Sequence, residues 1–143
     1  MPNFINQKPF LTLAGARLVV DAAIQKAEEM GAPQCIAVVD DGGNLLSYAR
    51  MDGAKYLSFH TALAKARTAA SLGRPAWEVD ETVGVRLGLA SGGAITALKA
   101  GIPLKVDGVI VGGVGVGSGT AEEDVTVASH AHQTFCHAVK GAS

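Results

Sequence analysis

Apolar side chains recur every three or four residues in three stretches of the chain, with polar side chains between them. This spacing places the apolar positions on one face of an α-helix. It predicts a first helix over residues 12–30, a second over residues 58–71 and a last one over residues 121–139. Pro75 is well placed to begin a short helical turn at residues 77–83, because its fixed φ suits the first turn of a helix.

Short runs rich in β-branched residues predict strands between these helices. The first two, residues 34–39 and 45–50, are separated by the turn sequence Asp-Asp-Gly-Gly and predict a hairpin. We predict an irregular segment at residues 84–93 because it ends in two adjacent glycines, and a third strand at residues 95–98.

A second hairpin is predicted around Asp107-Gly108, a dipeptide that readily adopts the positive φ angles of a tight turn. Its second arm is residues 109–116. From Gly113 onward the sequence alternates glycine with valine, so one face of the strand carries almost no side chains. The glycines on that bare face are Gly113, Gly115 and Gly117. Either a closely packed helix or a flat ligand must cover them, and close packing is the commoner reason for such a face.

The order of these elements favours an α+β fold, an antiparallel sheet with helices on its faces, because too few helices separate the strands for a doubly wound parallel sheet. Thr120 and Glu123 have the spacing of a capping box, which predicts that the last helix starts directly after the second hairpin. We expect residues 1–10 to form a tail and residues 11–143 to form a single domain.

Composition and charge narrow the classes of partner. The net charge is −1 over 143 residues, which leaves no basic surface for nucleic acid or for an anionic membrane. No apolar run is long enough to span a bilayer, and the first residues do not resemble a signal peptide, so we expect a cytoplasmic protein. Hydrophobic residues make up 48% of the chain, which predicts that a homo-oligomer covers part of the apolar surface.

Candidate chemistry is concentrated on the second helix. His60 could act as a general acid or base, and Lys65 and Arg67 could polarise or anchor a carboxylate. Asp40, Asp52 and Arg50 would join them if the first hairpin packs beside that helix. A helix flank that merely faces solvent or another subunit is the alternative, because charged helix flanks are usually solvated.

The last helix carries three of the four histidines and one cysteine. His132 and Cys136 are four residues apart and share a face, which is a spacing compatible with a metal ion. Two ligands do not make a closed site, so we predict no metal site. The carboxylates that begin the same helix would repel a phosphate, and the glycine-rich strand lacks the spacing of a nucleotide-binding loop.

Several phrases in this order resemble the GlcG/HbpS-like family, which is related to the carboxy-terminal domain of PduO. They are L-T-L-A at residues 11–14, A-V-V-D-x-G-G at 37–43, R-M-D-G-A at 50–54, K-A-R-T-A-A at 65–70, G-R-P at 73–75, G-I-P-L-x-V-D-G at 101–108 and G-x-G-V-G-x-G at 113–119. The resemblance implies a profilin-like fold, with a five-stranded antiparallel sheet flanked by helices, and assembly as a homo-oligomer.

The resemblance also implies a small-ligand-binding protein, for haem or another tetrapyrrole or for a small organic acid, accessory to a catabolic pathway. Members that bind haem are associated with a histidine on the first helix, whereas the first helix here contains none. We expect the ligand between the second helix and the sheet, beside Arg50 and the three bare glycines. The alternative is a cofactor-independent enzyme acting on a small carbonyl compound or hydroxy acid. In that enzyme His60 would be the acid or base, Lys65 and Arg67 the polarising or anchoring cations, and Asp40 or Asp52 would orient them. A purely structural subunit is the third hypothesis.

Overall fold

The computed structural model describes residues 1–141 as an alternation of helices and antiparallel hairpins. The helices are α1 (Leu13–Met30), α2 (Ser58–Leu72), α3 (Glu81–Ala90) and α4 (Ala121–Gly141), with one 3-10 turn at Ala76–Glu78. The strands are β1 (Cys35–Asp40), β2 (Leu45–Arg50), β3 (Gly101–Val106) and β4 (Val109–Gly117). None of the helices within these residues is long and apolar enough to cross a membrane.

The strands form one sheet in the order β2-β1-β4-β3, in which every neighbouring pair is antiparallel. Helix α2 covers one face, where Cys35, Ala37 and Val39 of β1 are buried. Helices α1 and α4 pack together over the other face, which buries Ile36 and Val38. The predicted antiparallel sheet with helices on both faces, an α+β fold, is therefore confirmed.

Local sequence signals form the predicted turns and caps. Asp107 and Gly108 both have positive φ angles, 49° and 78°, at the turn of the second hairpin. The N–H of Glu123 donates to Thr120 Oγ1 at 3.2 Å, and the N–H of Thr120 donates to Glu123 Oε1 at 2.9 Å. This reciprocal pair is the predicted capping box, and it starts α4 four residues after β4 ends.

The sheet has four strands, so the five predicted from the resemblance are wrong. Residues 95–98, predicted as a strand, instead bond to side chains. The N–H of Ile95 donates to Ser91 Oγ at 3.1 Å, and the N–H of Thr96 donates to Thr68 Oγ1 at 2.9 Å. Since these hydroxyls satisfy the backbone, the segment runs past α2 without joining the sheet.

Helix α3 occupies most of the segment that we predicted to be irregular. Asp80 begins it, because its Oδ1 accepts the N–H groups of Thr82 and Val83 at 3.0 and 3.2 Å. Gly84 and Gly88 lie on one face of α3 and let residues 95–97 pack close; a Cβ at Gly84 would lie 2.7 Å from Ala97 Cβ. These glycines are packing positions, not helix breakers.

The bare glycine face of β4 is covered by α2. A Cβ at Gly115 would lie 2.6 Å from the backbone nitrogen of Ala66 and closer still to the carbonyl oxygen of Ala62. A Cβ at Gly117 would lie 2.9 Å from Thr61 Oγ1, and Gly113 meets the backbone of Ala66 in the same way. The face has no room for a flat ligand, so the predicted ligand-binding role of Gly113, Gly115 and Gly117 is replaced by a packing role.

Candidate functional site

Both tyrosines of the chain and one of its four phenylalanines meet at the amino-terminal end of α2. Together with Arg50 of β2 they border a cleft of about 240 Å³, called the aromatic cleft below and formed by Tyr48, Arg50, Tyr56 and Phe59. The Tyr48 and Phe59 rings meet edge to face, with centroids 5.1 Å apart and planes at 89°. Such rings present apolar faces and a fixed geometry to a planar ligand.

His60 lies beside this cleft. Its ring is 5.3 Å from that of Phe59, edge to face, and its side chain is exposed to solvent. Arg50 is exposed as well, at the end of β2. An accessible imidazole, aromatic rings and a guanidinium are thus grouped at one end of α2, an arrangement suited to a planar anion.

Tyr48 contributes a neutral side chain to this group. Burial raises the pKa of its hydroxyl, and a hydrogen bond and charge interaction with the buried Cys35 thiol raise that pKa further. The Cys35 thiol also lies 3.4 Å from the carbonyl oxygen of Lys55, to which it donates. Tyr48 therefore stays protonated across the physiological pH range.

A larger cavity of about 630 Å³ lies at the opposite end of α2, and among residues 1–141 its lining contains one cation, Arg67. We call it the Arg67 cavity; its lining residues are Asp41, Gly42, Gly43, Asn44, Arg67, Ala70, Ser71, Ala94, Ile95 and Ile110. Arg67 Nε donates to the carbonyl oxygen of Gly43 at 2.9 Å, which fixes the side chain against the first hairpin. Arg67 and His60 are seven residues apart, so they lie on the same side of α2 but roughly 10 Å apart along its axis, near opposite ends of the helix.

Asp40 shapes the turn of the first hairpin. Its Oδ1 accepts the N–H groups of Gly42 and Asn44, both at 2.9 Å. Burial alone would raise the pKa of this carboxyl, but the hydrogen bonds from Asn44 and Gly42 and the charge of Lys8 outweigh it and lower the pKa. These contacts give Asp40 a structural role in the turn, and they do not include His60, which we predicted it would orient.

Lys65 is buried inside the domain, so the predicted role as a substrate-anchoring cation is wrong. Its Nζ donates to the carbonyl oxygen of Val116 at 2.7 Å and to Asp124 Oδ2 at 3.2 Å. Both side chains of this ion pair are only 6% exposed. Burial lowers the pKa of Lys65, and the Asp124 carboxylate partly offsets this effect. The pair connects α2, β4 and the start of α4.

Asp52 lies at a third position, in a cavity of about 420 Å³ between α1 and the end of β2. Arg50 also borders this cavity, together with Ile24, Glu28 and Met51. The six ionisable residues among the predicted site residues therefore do not converge. Arg50 and His60 are grouped at the aromatic cleft, Arg67 lies in its own cavity, and Lys65 is enclosed.

On α4, His132 and Cys136 share a face as predicted, with 3.5 Å between Nε2 and Sγ. Burial lowers the pKa of His132, which favours its neutral form. Across residues 1–141, no three histidine, cysteine or acidic side chains lie close enough together to hold a metal ion.

Sequence reasoning did not identify the tyrosines or Asp124 as parts of these sites. Tyr48 and Tyr56 lie on β2 and in the loop after it, and no periodic spacing connects them to Phe59 of α2. The sequence did give a signal for Asp124, because it is a third carboxylate in the first turn of α4, after Glu122 and Glu123. From the sequence alone, all three are carboxylates at the start of the last helix that would repel a phosphate.

Comparison with known proteins identifies related chains. A family model described as haem degrading protein HbpS-like matches residues 11–133. Protein GlcG of Escherichia coli K12 is 36% identical over 110 residues, which cover 76% of this chain and 82% of GlcG.

Two solved structures are also similar. Klebsiella pneumoniae protein ORFY has a TM-score of 0.88 and 32% identity, with 95% of this chain and 97% of that one covered. A PduOC protein solved as a haem complex has a TM-score of 0.80 and 25% identity, with 88% and 95% covered. The resemblance inferred from the sequence phrases is confirmed by these matches.

Proposed function

This chain belongs to the HbpS-like family, and from that premise we propose that it is a ligand-binding protein that holds haem or a related tetrapyrrole at the aromatic cleft. The family description names a haem degrading protein, and a related domain was solved with haem. The observation in this chain that supports the proposal is the grouping of His60, Arg50 and three aromatic side chains at one end of α2.

The residues of the cleft fit the chemistry of haem. Histidine is a common protein ligand of haem iron. His60 supplies an exposed imidazole, whereas α1 contains no histidine. Aromatic rings pack against a planar macrocycle, and the Arg50 guanidinium suits its carboxylates. The cleft is smaller than an ordinary ligand pocket, so much of the ligand would remain exposed on a single chain.

The first test is an absorbance titration of the protein with haemin. We expect saturable binding with a shifted Soret band, and the His60→Ala variant should bind about tenfold more weakly or worse, because it loses the proposed iron ligand. His137→Ala removes an exposed histidine of α4 and serves as the matched control. Equal binding by the His60→Ala variant and the unaltered protein would contradict the proposal.

The enzyme hypothesis receives no support from this geometry. It required His60, Lys65 and Arg67 to act on one substrate, but Lys65 is buried in an ion pair and Arg67 lines a separate cavity. Asp40 and Asp52 are likewise in different places. A binding protein needs only the grouping that the aromatic cleft provides.

We also propose that the chain self-associates through α3. This helix buries only Gly84, while Val85 is 66% and Leu89 is 81% exposed. Leu98, on the segment packed against α3, is 50% exposed. Several exposed aliphatic side chains on and beside one helix are typical of an interface between protein chains.

A charge in that surface tests the self-association. The Leu89→Asp variant is expected to sediment as a smaller species than the unaltered protein at micromolar concentration, because a carboxylate would have to be buried between copies. Leu13→Asp, at a 53% exposed leucine at the start of α1, is the control and should leave assembly unchanged. If only the control dissociates the assembly, the interface is elsewhere.

A further inference from the structure

The Arg67 cavity is separate from the aromatic cleft and has a charged side and an apolar side. The turn of the first hairpin forms the charged side with Arg67, while Ala70, Ala94, Ile95 and Ile110 form the apolar side. At about 630 Å³ the cavity is within the range of pockets that bind small organic molecules. Its lining comes from α2, β4 and two connecting segments, so the fold holds it open.

The Arg67 guanidinium is positioned before any ligand arrives. Its stem lies along Gly43, where a Cβ would meet Arg67 Cγ at 3.5 Å, and its Nε bonds to the Gly43 carbonyl oxygen at 2.9 Å. Within residues 1–141 the two terminal nitrogens have no hydrogen-bond or ion-pair partner. A half-buried guanidinium with terminal donors unused is suited to a carboxylate, which accepts two parallel hydrogen bonds from it.

The two carboxylates near the cavity, Asp40 and Asp41, already have partners within the protein. Asp41 is the only acidic side chain in the lining, and Lys8 of the amino-terminal segment forms an ion pair with it. Asp40 lies beneath the turn with its Oδ1 occupied by N–H groups of Gly42 and Asn44. Ser71 adds a hydroxyl to the lining next to Ala70. Arg67 and Lys8 together balance Asp40 and Asp41, so the attraction for an anion comes from the unused terminal donors of Arg67.

We propose that the Arg67 cavity is a second binding site, for an organic monocarboxylate with an apolar body. The carboxylate pairs with the terminal nitrogens of Arg67, and the apolar body lies against Ala70, Ile95 and Ile110. A phosphate would use the same cation but would leave the aliphatic wall uncovered. An uncharged apolar molecule would leave the guanidinium desolvated and unpaired, which is unfavourable.

The test uses 3-phenylpropanoate as the probe and 3-phenylpropanamide as its neutral counterpart. Each is titrated into isotope-labelled protein, and binding is followed by NMR through the chemical shifts of the backbone N–H groups. We expect saturable shifts at residues 42–44 and at Ser71 with the carboxylate, and about tenfold weaker binding or none with the amide. Arg67→Gln should weaken carboxylate binding about tenfold or more, whereas Arg74→Gln, an exposed arginine outside the lining, should not.

Arg67→Gln also removes the bond to Gly43, so a second variant is needed that leaves this bond intact. Ile95→Glu places a carboxylate in the apolar wall and should abolish binding of the probe while the Arg67–Gly43 bond stays. Equal binding of amide and carboxylate, or unchanged binding in both variants, would overturn the proposal.

A haemin titration of the same variants separates this site from the aromatic cleft. Haemin binding should be unchanged in Arg67→Gln and weakened in His60→Ala. The reverse result would mean that the Arg67 cavity holds the haem carboxylates, and the inference of a distinct second site would then fail. If both variants bind haemin as well as the unaltered protein does, and the unaltered protein still binds the carboxylate probe, the haem proposal fails and the second site stands.

Discussion

The Gly115→Ala variant is expected to lose about 3 kcal/mol or more of unfolding free energy, a large share of the stability of a small domain. The added methyl would lie 2.6 Å from the Ala66 backbone nitrogen and closer to the Ala62 carbonyl oxygen. Neither atom belongs to a flexible side chain, so α2 would have to move away from the sheet. Urea unfolding followed by circular dichroism measures the loss.

Gly117→Ala is the matched control, because it adds the same methyl to the same face of the same strand. Its nearest neighbour would be Thr61 Oγ1 at 2.9 Å, a side-chain atom that can rotate away, followed by Ser58 Cβ at 3.3 Å. We expect a clearly smaller loss than at Gly115. Similar losses at both positions would mean that the strand itself requires glycine, and that the close approach of α2 is not the cause.

The parts of the fold that were predictable from the sequence are those fixed by neighbouring residues. Thr12 caps α1 by accepting the Gly15 N–H at 3.0 Å, and Gly31 ends it in the left-handed conformation with φ of 63°. Asp107 and Gly108 likewise form their turn because both adopt positive φ angles, which depends on these two residues themselves. The bare glycine face of β4 left two coverings open, a closely packed helix or a flat ligand, and the backbone of α2 is the one that occupies it.

The prediction failed where glycine and threonine act on residues distant in the sequence. Gly84 and Gly88 look like helix breakers until residues 95–97 are known to pack against them. Thr68 looks like a polar helix position, yet its hydroxyl accepts the N–H of Thr96, 28 residues away. Such contacts leave no periodic trace, so α3 was missed and a strand was predicted where none exists.

For the candidate sites too, local features were predictable from the sequence and contacts between distant residues were not. The second helix was correctly expected to carry Arg67 and His60, but they lie about two turns apart along it, and Arg67 lines one cavity while His60 lies beside Phe59 at the other end. Helix α2 also turns Lys65 inward among alanines, where its partner is on α4, 59 residues later. The sequence therefore identified which side chains carry charge, while the packing of α2 decides which of them can meet a ligand.

The Asp124→Asn variant is expected to lose about 3–5 kcal/mol of unfolding free energy at neutral pH, because it leaves the Lys65 ammonium buried without its counter-charge. The asparagine can still accept the Gly119 N–H, which Asp124 Oδ1 binds at 2.9 Å, so the change removes mainly the charge. The double variant Lys65→Met with Asp124→Asn removes both charges and should be more stable than Asp124→Asn alone. Urea unfolding of the four proteins of this cycle measures the coupling, and losses that simply add would show that the pair is not coupled.

The pH dependence of the same variant tests whether the missing counter-charge is the cause. Burial lowers the pKa of Lys65 and Asp124 opposes that effect, so removing Asp124 lowers the pKa further. Between this lowered pKa and the ordinary lysine value of 10.5, the unfolded chain binds more protons than the folded chain, so the free energy of unfolding rises with pH. This rise is larger in Asp124→Asn than in the unaltered protein, and the deficit should therefore be smaller at about pH 9.5 than at about pH 7. A deficit that does not change between these two pH values would mean that removing Asp124 does not lower the Lys65 pKa, and that the missing counter-charge is not the cause of the loss.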